Sequence, residues 1–159
     1  MPAGRGVTSP IPHVPKDPEF ESRVRASFER QHFMSTLGAR LVRVEPGEVD
    51  VEVATRDDLL QQHGFLHAGV VASAADSACG YAALSLMPAG VAVLSIEFKT
   101  NLLAPATGER IVARGRVIRA GHTVTVCWAD VTAYAPDSER LVATMVATMM
   151  TVRDRGLSD

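Results

Sequence analysis

The chain has 159 residues, of which 47% are hydrophobic and 21% charged, and a formal net charge of −2. These values describe one globular domain able to bury a core, and exclude a disordered or fibrous chain. The basic residues are scattered, without the clustered footprint of a nucleic-acid binder.

Residues 1–18 are proline-rich and lack the apolar core of a signal peptide, so a flexible tail is expected and cytoplasmic localisation is the default. Residues 19–155 are expected to form one domain without repeats. Glu21 to Gln31 predicts a modest amphipathic helix. Ala39 to Glu45 and Glu48 to Thr55 flank Pro46-Gly47, a hairpin signal. Val70 to Met87 is apolar on every side and rich in Ala, Ser and Gly, with Pro88-Ala-Gly90 ending it. A central Asp costs ~2.5–3.5 kcal/mol in a membrane and small residues offset little of it, so the run predicts a helix buried in a soluble protein. Four strands follow, Ala92 to Leu103, Glu109 to Arg119, His122 to Tyr134 and Arg140 to Arg153, each rich in Val, Thr, Ile or Met. One long helix then covers one face of an antiparallel sheet, an α+β architecture with the sheet wrapped about the helix.

Asp76 stands out. From Ala68 to Ile96 no other Asp, Glu, Lys or Arg occurs. A helix cap is a poor reading, because the apolar run starts several residues earlier. A buried ion pair and a general base both remain open, since a desolvated carboxylate has a raised pKa that suits base catalysis. Just before it, His63-Gly-Phe-Leu-His67-Ala-Gly69 places two histidines and two glycines where a loop enters the helix. The first turn of a helix offers unpaired N–H groups, a possible oxyanion hole.

Three motifs carry a family resemblance: His67-Ala68-Gly69, Ala75-Asp76-Ser77-Ala78 and Ser95-Ile96-Glu97-Phe98. With their spacing, the chain from Leu37 to Val152 resembles the PaaI-like acyl-CoA thioesterases of the hotdog-fold superfamily. Asn101 to Pro105, Gly108-Glu109 and the turn around His122 fit as well. The resemblance implies a hotdog fold, a long central helix wrapped by a curved antiparallel sheet. It implies hydrolysis of an acyl- or aryl-CoA to free acid and CoA, in a homodimer or homotetramer with active sites at the dimer interface. Asp76 then acts as general base or nucleophile, and the Ala68 N–H, from the other subunit, as oxyanion donor. Ala68 departs from the family's usual Gly. His67 fixes the loop, Gln61 stands where relatives carry Asn, and Ser95 matches a hydroxyl at the reaction centre. Gly69, Lys99, Arg119 and His122 are candidate substrate contacts, the last three for CoA phosphates. No cofactor is implied, coenzyme A being part of the substrate, and neither a nucleic-acid nor a membrane partner. The alternatives are a non-hydrolytic acyl-CoA binding protein and a hotdog dehydratase or hydratase.

The remaining candidates read as structure. His13, His32, His63, His67 and His122 show no metal-ligand spacing. Cys79 and Cys127, the two cysteines, read as small buried hydrophobes in a reducing compartment, with Cys79 packing rather than nucleophilic. Met145, Met149 and Met150 read as strand core or an adaptable acyl-pocket wall.

Overall fold

The computed structural model describes residues 13–153, 156, 157 and 159. Two short helices, α1 (Phe20–Glu29) and α2 (His32–Leu37), lead into the hairpin β1 (Arg40–Glu45) and β2 (Glu48–Ala54). The long helix α3 (Ala68–Leu84) follows, then β3 (Ala92–Leu102), β4 (Arg110–Ala120), β5 (Val124–Ala135) and β6 (Ser138–Val152). The six strands form one sheet in the order β1-β2-β4-β5-β6-β3, antiparallel at every pairing. The α+β class and the hotdog arrangement expected from the sequence both hold. The sequence reading missed α2, a single turn and a half that begins one residue after the expected end of the first helix.

Composition explains why one helix suffices. Ala74, Ala75, Ala78, Ala82 and Ala83 are fully buried, so the sheet backbone approaches α3 closely. The closest approach is at Gly115 on β4, where an added Cβ would lie 2.4 Å from the Ala78 carbonyl. Larger inward side chains fill the space on either side: Val49, Val51 and Val53 from β2, Ile111 from β4, Val131 from β5, and Met145 and Met149 from β6. Each is worth about 1.5–3 kcal/mol of burial. The β1–β2 turn uses Gly47 at φ +77°, a conformation that glycine adopts without strain.

Residues 1–12 of the expected tail lie outside the described residues. His13 and Asp17, taken with that tail, are packed: the His13 ring nitrogen Nε2 lies 3.2 Å from the Val117 carbonyl, and Asp17 pairs with Arg23 at 3.2 Å. Arg23 in turn donates to the carbonyls of Leu84 and Met87, closing the C-terminal end of α3. Among the described residues no helix is long and apolar enough to cross a membrane.

Candidate active site

Asp76 projects from the middle of α3 toward the inner face of β3. The Ser95 hydroxyl donates to its Oδ1 at 2.7 Å, and also lies 3.4 Å from the Met149 sulfur. Burial pushes the Asp76 carboxyl above the ordinary carboxylate range, and the Ser95 hydrogen bond, which favours the charged form, opposes the shift in part. Among the described residues no cation pairs with Asp76. The buried ion pair that the sequence left open is therefore not what holds this acid.

Ser95 faces Asp76 because β3 is irregular beside it. Ser95 pairs with Met149 and Phe98 with Ala147, both inward positions on β6, while Glu97 pairs with outward Thr148. The extra residue at this bulge reverses the alternation. Without it, Glu97 would point at the helix.

Asp76 and Ser95 line a small cleft of about 90 Å³ with Gln31, Tyr81, Met149 and Asp159. The Asp159 carboxylate accepts from the Val93 N–H at 2.8 Å and from the Ser27 hydroxyl at 3.0 Å. Burial pushes the Tyr81 phenol up. Sequence reasoning missed Gln31, Tyr81 and Asp159 at this place. They come from the N-cap of α2, from α3 and from residue 159, and no local pattern marks them.

The start of α3 forms a second, separate cleft. His67 is the N-cap residue, with φ −61° and ψ 138°, and its Nδ1 accepts the Gly69 N–H at 2.9 Å. The loop ahead of it is tied by the Gln61 N–H to Phe65 carbonyl bond at 2.8 Å and by the Gln61 Oε1 accepting the His63 N–H. Ala68 is exposed, and among the described residues no acceptor stands against its N–H. It lines a cleft of about 390 Å³ with Gln61, Phe65, Val71, Leu103 and Pro105. Eight residues of helix, about 12 Å at 1.5 Å per residue, separate Ala68 from Asp76. Within one chain the structure does not bring the acid and the amide into one cleft.

Nor does it gather the basic candidates. Lys99 lies on the outer face of β3, bonded to Asn101 at 2.9 Å; Arg119 is exposed at the end of β4; His122 sits in the β4–β5 turn. Three strand spacings, about 14 Å, separate β3 from β4 across the sheet. None of the three residues, nor Gly69, lines either cleft. Cys79 is fully buried, and its thiol is pushed far up, first by a hydrogen bond with Cys127 and then by burial, which excludes a thiolate nucleophile. Met145 and Met149 are buried in the core; Met149 reaches the Asp76 cleft, and Met150 lines a further cleft with Leu94 and Leu157, away from Asp76 and Ala68. No group of three or more His, Cys, Asp or Glu side chains is placed to hold a metal among the described residues.

An α+β sheet wrapped on a single helix, with a lone acid at mid-helix and a capped turn at its start, defines a hotdog domain. Residues 63–138 match the model of the thioesterase superfamily. The crystal structure of a thioesterase family protein from Silicibacter pomeroyi superposes with a TM-score of 0.82 at 50% identity, covering 84% of this chain and 98% of that one. The chain belongs to the thioesterase superfamily. A Saccharolobus solfataricus protein that carries an esterase name is 33% identical over 57% of this chain; the match spans 64% of that relative, under two-thirds of its length. A Halobacterium salinarum relative with an esterase name is likewise covered over 64% of its length. Human acyl-coenzyme A thioesterase 13 is 28% identical over 69% of this chain and 79% of its own length.

Proposed function

We propose that the protein hydrolyses acyl-CoA thioesters, with each active site built from two copies of the chain. The observation that carries this reading is the position of the two clefts along β3. Asp76 and Ser95 lie at the start of that strand and the Ala68 cleft meets Leu102 and Leu103 at its end. Among the described residues β3 is an edge strand that pairs with β6 alone, and its Ile96, Phe98 and Leu102 are about half exposed. Such an edge is a template for another strand. Antiparallel pairing of two β3 strands about a two-fold axis sets the start of one against the end of the other. The carboxylate of one copy then meets the helix N-terminus of its partner, in an isologous contact that repeats itself.

In that combined site the thioester oxygen accepts the Ala68 N–H. Asp76 takes a proton from water as the water oxygen bonds to the carbonyl carbon, or its carboxylate attacks that carbon itself and forms, as the thiolate leaves, a mixed anhydride that water then cleaves to the free acid and the restored carboxylate. The negative charge that develops on oxygen is held by the amide and the positive end of α3. The C–S bond breaks, the thiolate leaves and gains a proton, and the products are a free acid and CoA. A carboxylate with a raised pKa is a better proton acceptor near neutrality than an ordinary one. The esterase and thioesterase names of the relatives agree with this chemistry.

Thiol release from acyl-CoA tests the reading. Catalytic turnover is expected; stoichiometric binding of acyl-CoA without thiol release would replace hydrolysis with a carrier or sensor role.

A further inference from the structure

Hydrolysis of a thioester leaves a surplus proton. Water supplies two; the leaving thiolate takes one, and the free acid, ionised near neutrality, keeps none. On the thioesterase reading above, with Asp76 as base, the carboxyl must shed a proton before it can act again. Its Oδ1 already accepts the Ser95 hydroxyl, and among the described residues no protein donor is bonded to Oδ2. In the two-copy site, substrate and the partner's helix start would stand between Asp76 and bulk water. A route out through the chain's own residues then decides how fast the base is restored.

The cleft beside Asp76 offers such a route. At about 90 Å³ it has room for two or three waters at ~30 Å³ each, and Tyr81 and Asp159 line it together with Asp76. The Ser27 Oγ lies 3.2 Å from the Tyr81 Oη and 3.0 Å from the Asp159 Oδ1. A carboxylate only accepts, so Ser27 donates to Asp159. With its single proton committed there, Ser27 accepts from the Tyr81 hydroxyl. The hydrogen bonds thus run one way, from Tyr81 to Asp159. Ser27 and Tyr81 are under 5% exposed, and Phe28 meets the Tyr81 ring edge-on at 5.6 Å, whereas Asp159 is half-buried. Asp159 is held in place: its Oδ2 accepts the Val93 N–H at 2.8 Å, and its own N–H donates to the Val91 carbonyl at 3.2 Å. All of these bonds are made within one chain, so none depends on what a partner strand brings to β3.

We infer that Tyr81, Ser27 and Asp159 carry the surplus proton from Asp76 to solvent, by way of water in the cleft. Protonated Asp76 gives its proton to a cleft water as that water gives one to the Tyr81 oxygen. Tyr81 passes its own hydroxyl proton to the Ser27 oxygen, and Ser27 passes its own to the Asp159 Oδ1. At each oxygen between the two carboxyls one O–H bond forms as another breaks. Asp76 ends ionised, and Asp159 ends neutral until it releases the proton to bulk water. None of the three touches substrate; they act by restoring the base after the C–S bond has broken. A latch that merely tied α1 to α3 would need the same bonds but no cleft that reaches Asp76.

The test follows thiol release in the first turnover and in the steady state, with the fastest of acetyl-, octanoyl- and phenylacetyl-CoA. Tyr81→Phe keeps the ring and removes the hydroxyl; Asp159→Asn keeps the shape and removes the proton acceptor. In each variant the first thiol per site is expected at the wild-type rate and later turnovers at least ~10-fold slower. Because only a step after cleavage is slowed, kcat and KM should fall together and kcat/KM should hold. The double variant should be no slower than the slower single one, since both interrupt one path. Added imidazole, a small proton carrier, should restore the steady-state rate. Gel filtration and melting curves confirm assembly and fold, and Asp159→Asn, outside the core, carries the test if Tyr81→Phe disturbs packing. First and later turnovers slowed alike with a lower kcat/KM, or wild-type kcat in both variants, would overturn the path and leave hydrolysis standing. Absence of turnover by the wild-type protein with every thioester would instead overturn the thioesterase reading, and this inference with it.

Discussion

The clefts at the two ends of β3 have opposite character. At the Ser95 end the space is small and polar, about 90 Å³, and encloses a carboxylate held by a hydroxyl. At the Leu102 end it is about 390 Å³ and mostly apolar, lined by Leu102, Leu103 and Val142 with Gln61 and Ala68 as its polar edge. Under the proposed function each suits half of a thioester hydrolysis: one would move a proton, the other would hold an oxygen. Neither suits the whole. On the proposed reading the difference means that a single chain would be an incomplete catalyst, and that the two-fold operation proposed for β3 is what would join acid to amide.

The largest expected effect comes from removing the acid. Asp76→Asn should lower kcat by ~10²–10⁴ with little change in substrate binding. The same change should stabilise the fold at neutral pH. Asp76 has a raised folded pKa, so the wild-type protein loses stability as pH rises from the unfolded carboxylate pKa through that raised value. The asparagine variant carries no such cost. Melting temperatures across pH should therefore diverge above the raised pKa and converge below the carboxylate range. Near-normal turnover would make Asp76 a structural residue, and equal melting curves at every pH would mean that folding does not raise its pKa.

Sharing between copies is tested by mixing lesions. Ala68→Pro deletes the amide donor at the first helical position, where proline's φ fits. The extended backbone of His67, at ψ 138°, is the conformation a following proline requires. Co-expressed with Asp76→Asn, it should restore about a quarter of wild-type activity, because random pairing makes about half the dimers mixed and each mixed dimer has one intact site. If acid and amide worked within one chain, every site would carry a lesion. Mixed dimers that form but stay inactive would end the two-copy reading.

A smaller effect is expected at the polar end. Ser95→Ala removes the hydrogen bond that favours ionised Asp76, so its pKa should rise further. The acid limb of the kcat profile should move to higher pH, with a loss at neutral pH of about 10-fold, typical of one bond to a charged group. An unmoved limb would show that Ser95 does not tune the acid. The smallest effect is expected at the apolar end: Ala68→Gly keeps the N–H and should leave kcat/KM for octanoyl-CoA within about two-fold. A collapse with the fold intact would mean that the Ala68 methyl touches substrate.

Much of this was legible in the residues before any coordinates. The isolated Asp76 in a run of small residues, the loop of histidines and glycines that enters the helix and the β-branched strands are local patterns, and local backbone preferences decide them. The resemblance added the pairing of Asp76 with Ala68 and Ser95, and the direct Ser95–Asp76 contact at 2.7 Å is in keeping with it. Within one chain the basic candidates stay apart: Lys99 and Arg119 are on one sheet face but strands apart, and a strand sequence does not state its neighbours.

What the sequence determined by itself was the kind and order of elements, because periodicity, propensity and turn chemistry act over a few residues. What only the tertiary structure decided depends on register and on segments far apart in the chain. The bulge at Ile96, which aims Ser95 inward and Glu97 outward, exists in the pairing with β6 and has no signature in Ser95-Ile96-Glu97-Phe98 read alone. Gly115 is required by the Ala78 carbonyl packed against it, an approach fixed by the crossing of α3 over β4. Gln31, Tyr81 and Asp159 meet around Asp76 through closure of the whole chain. The separation of acid from amide follows from the 1.5 Å rise of an α-helix acting over eight residues, and it becomes meaningful only once both ends of that interval are seen to lie along a free strand edge.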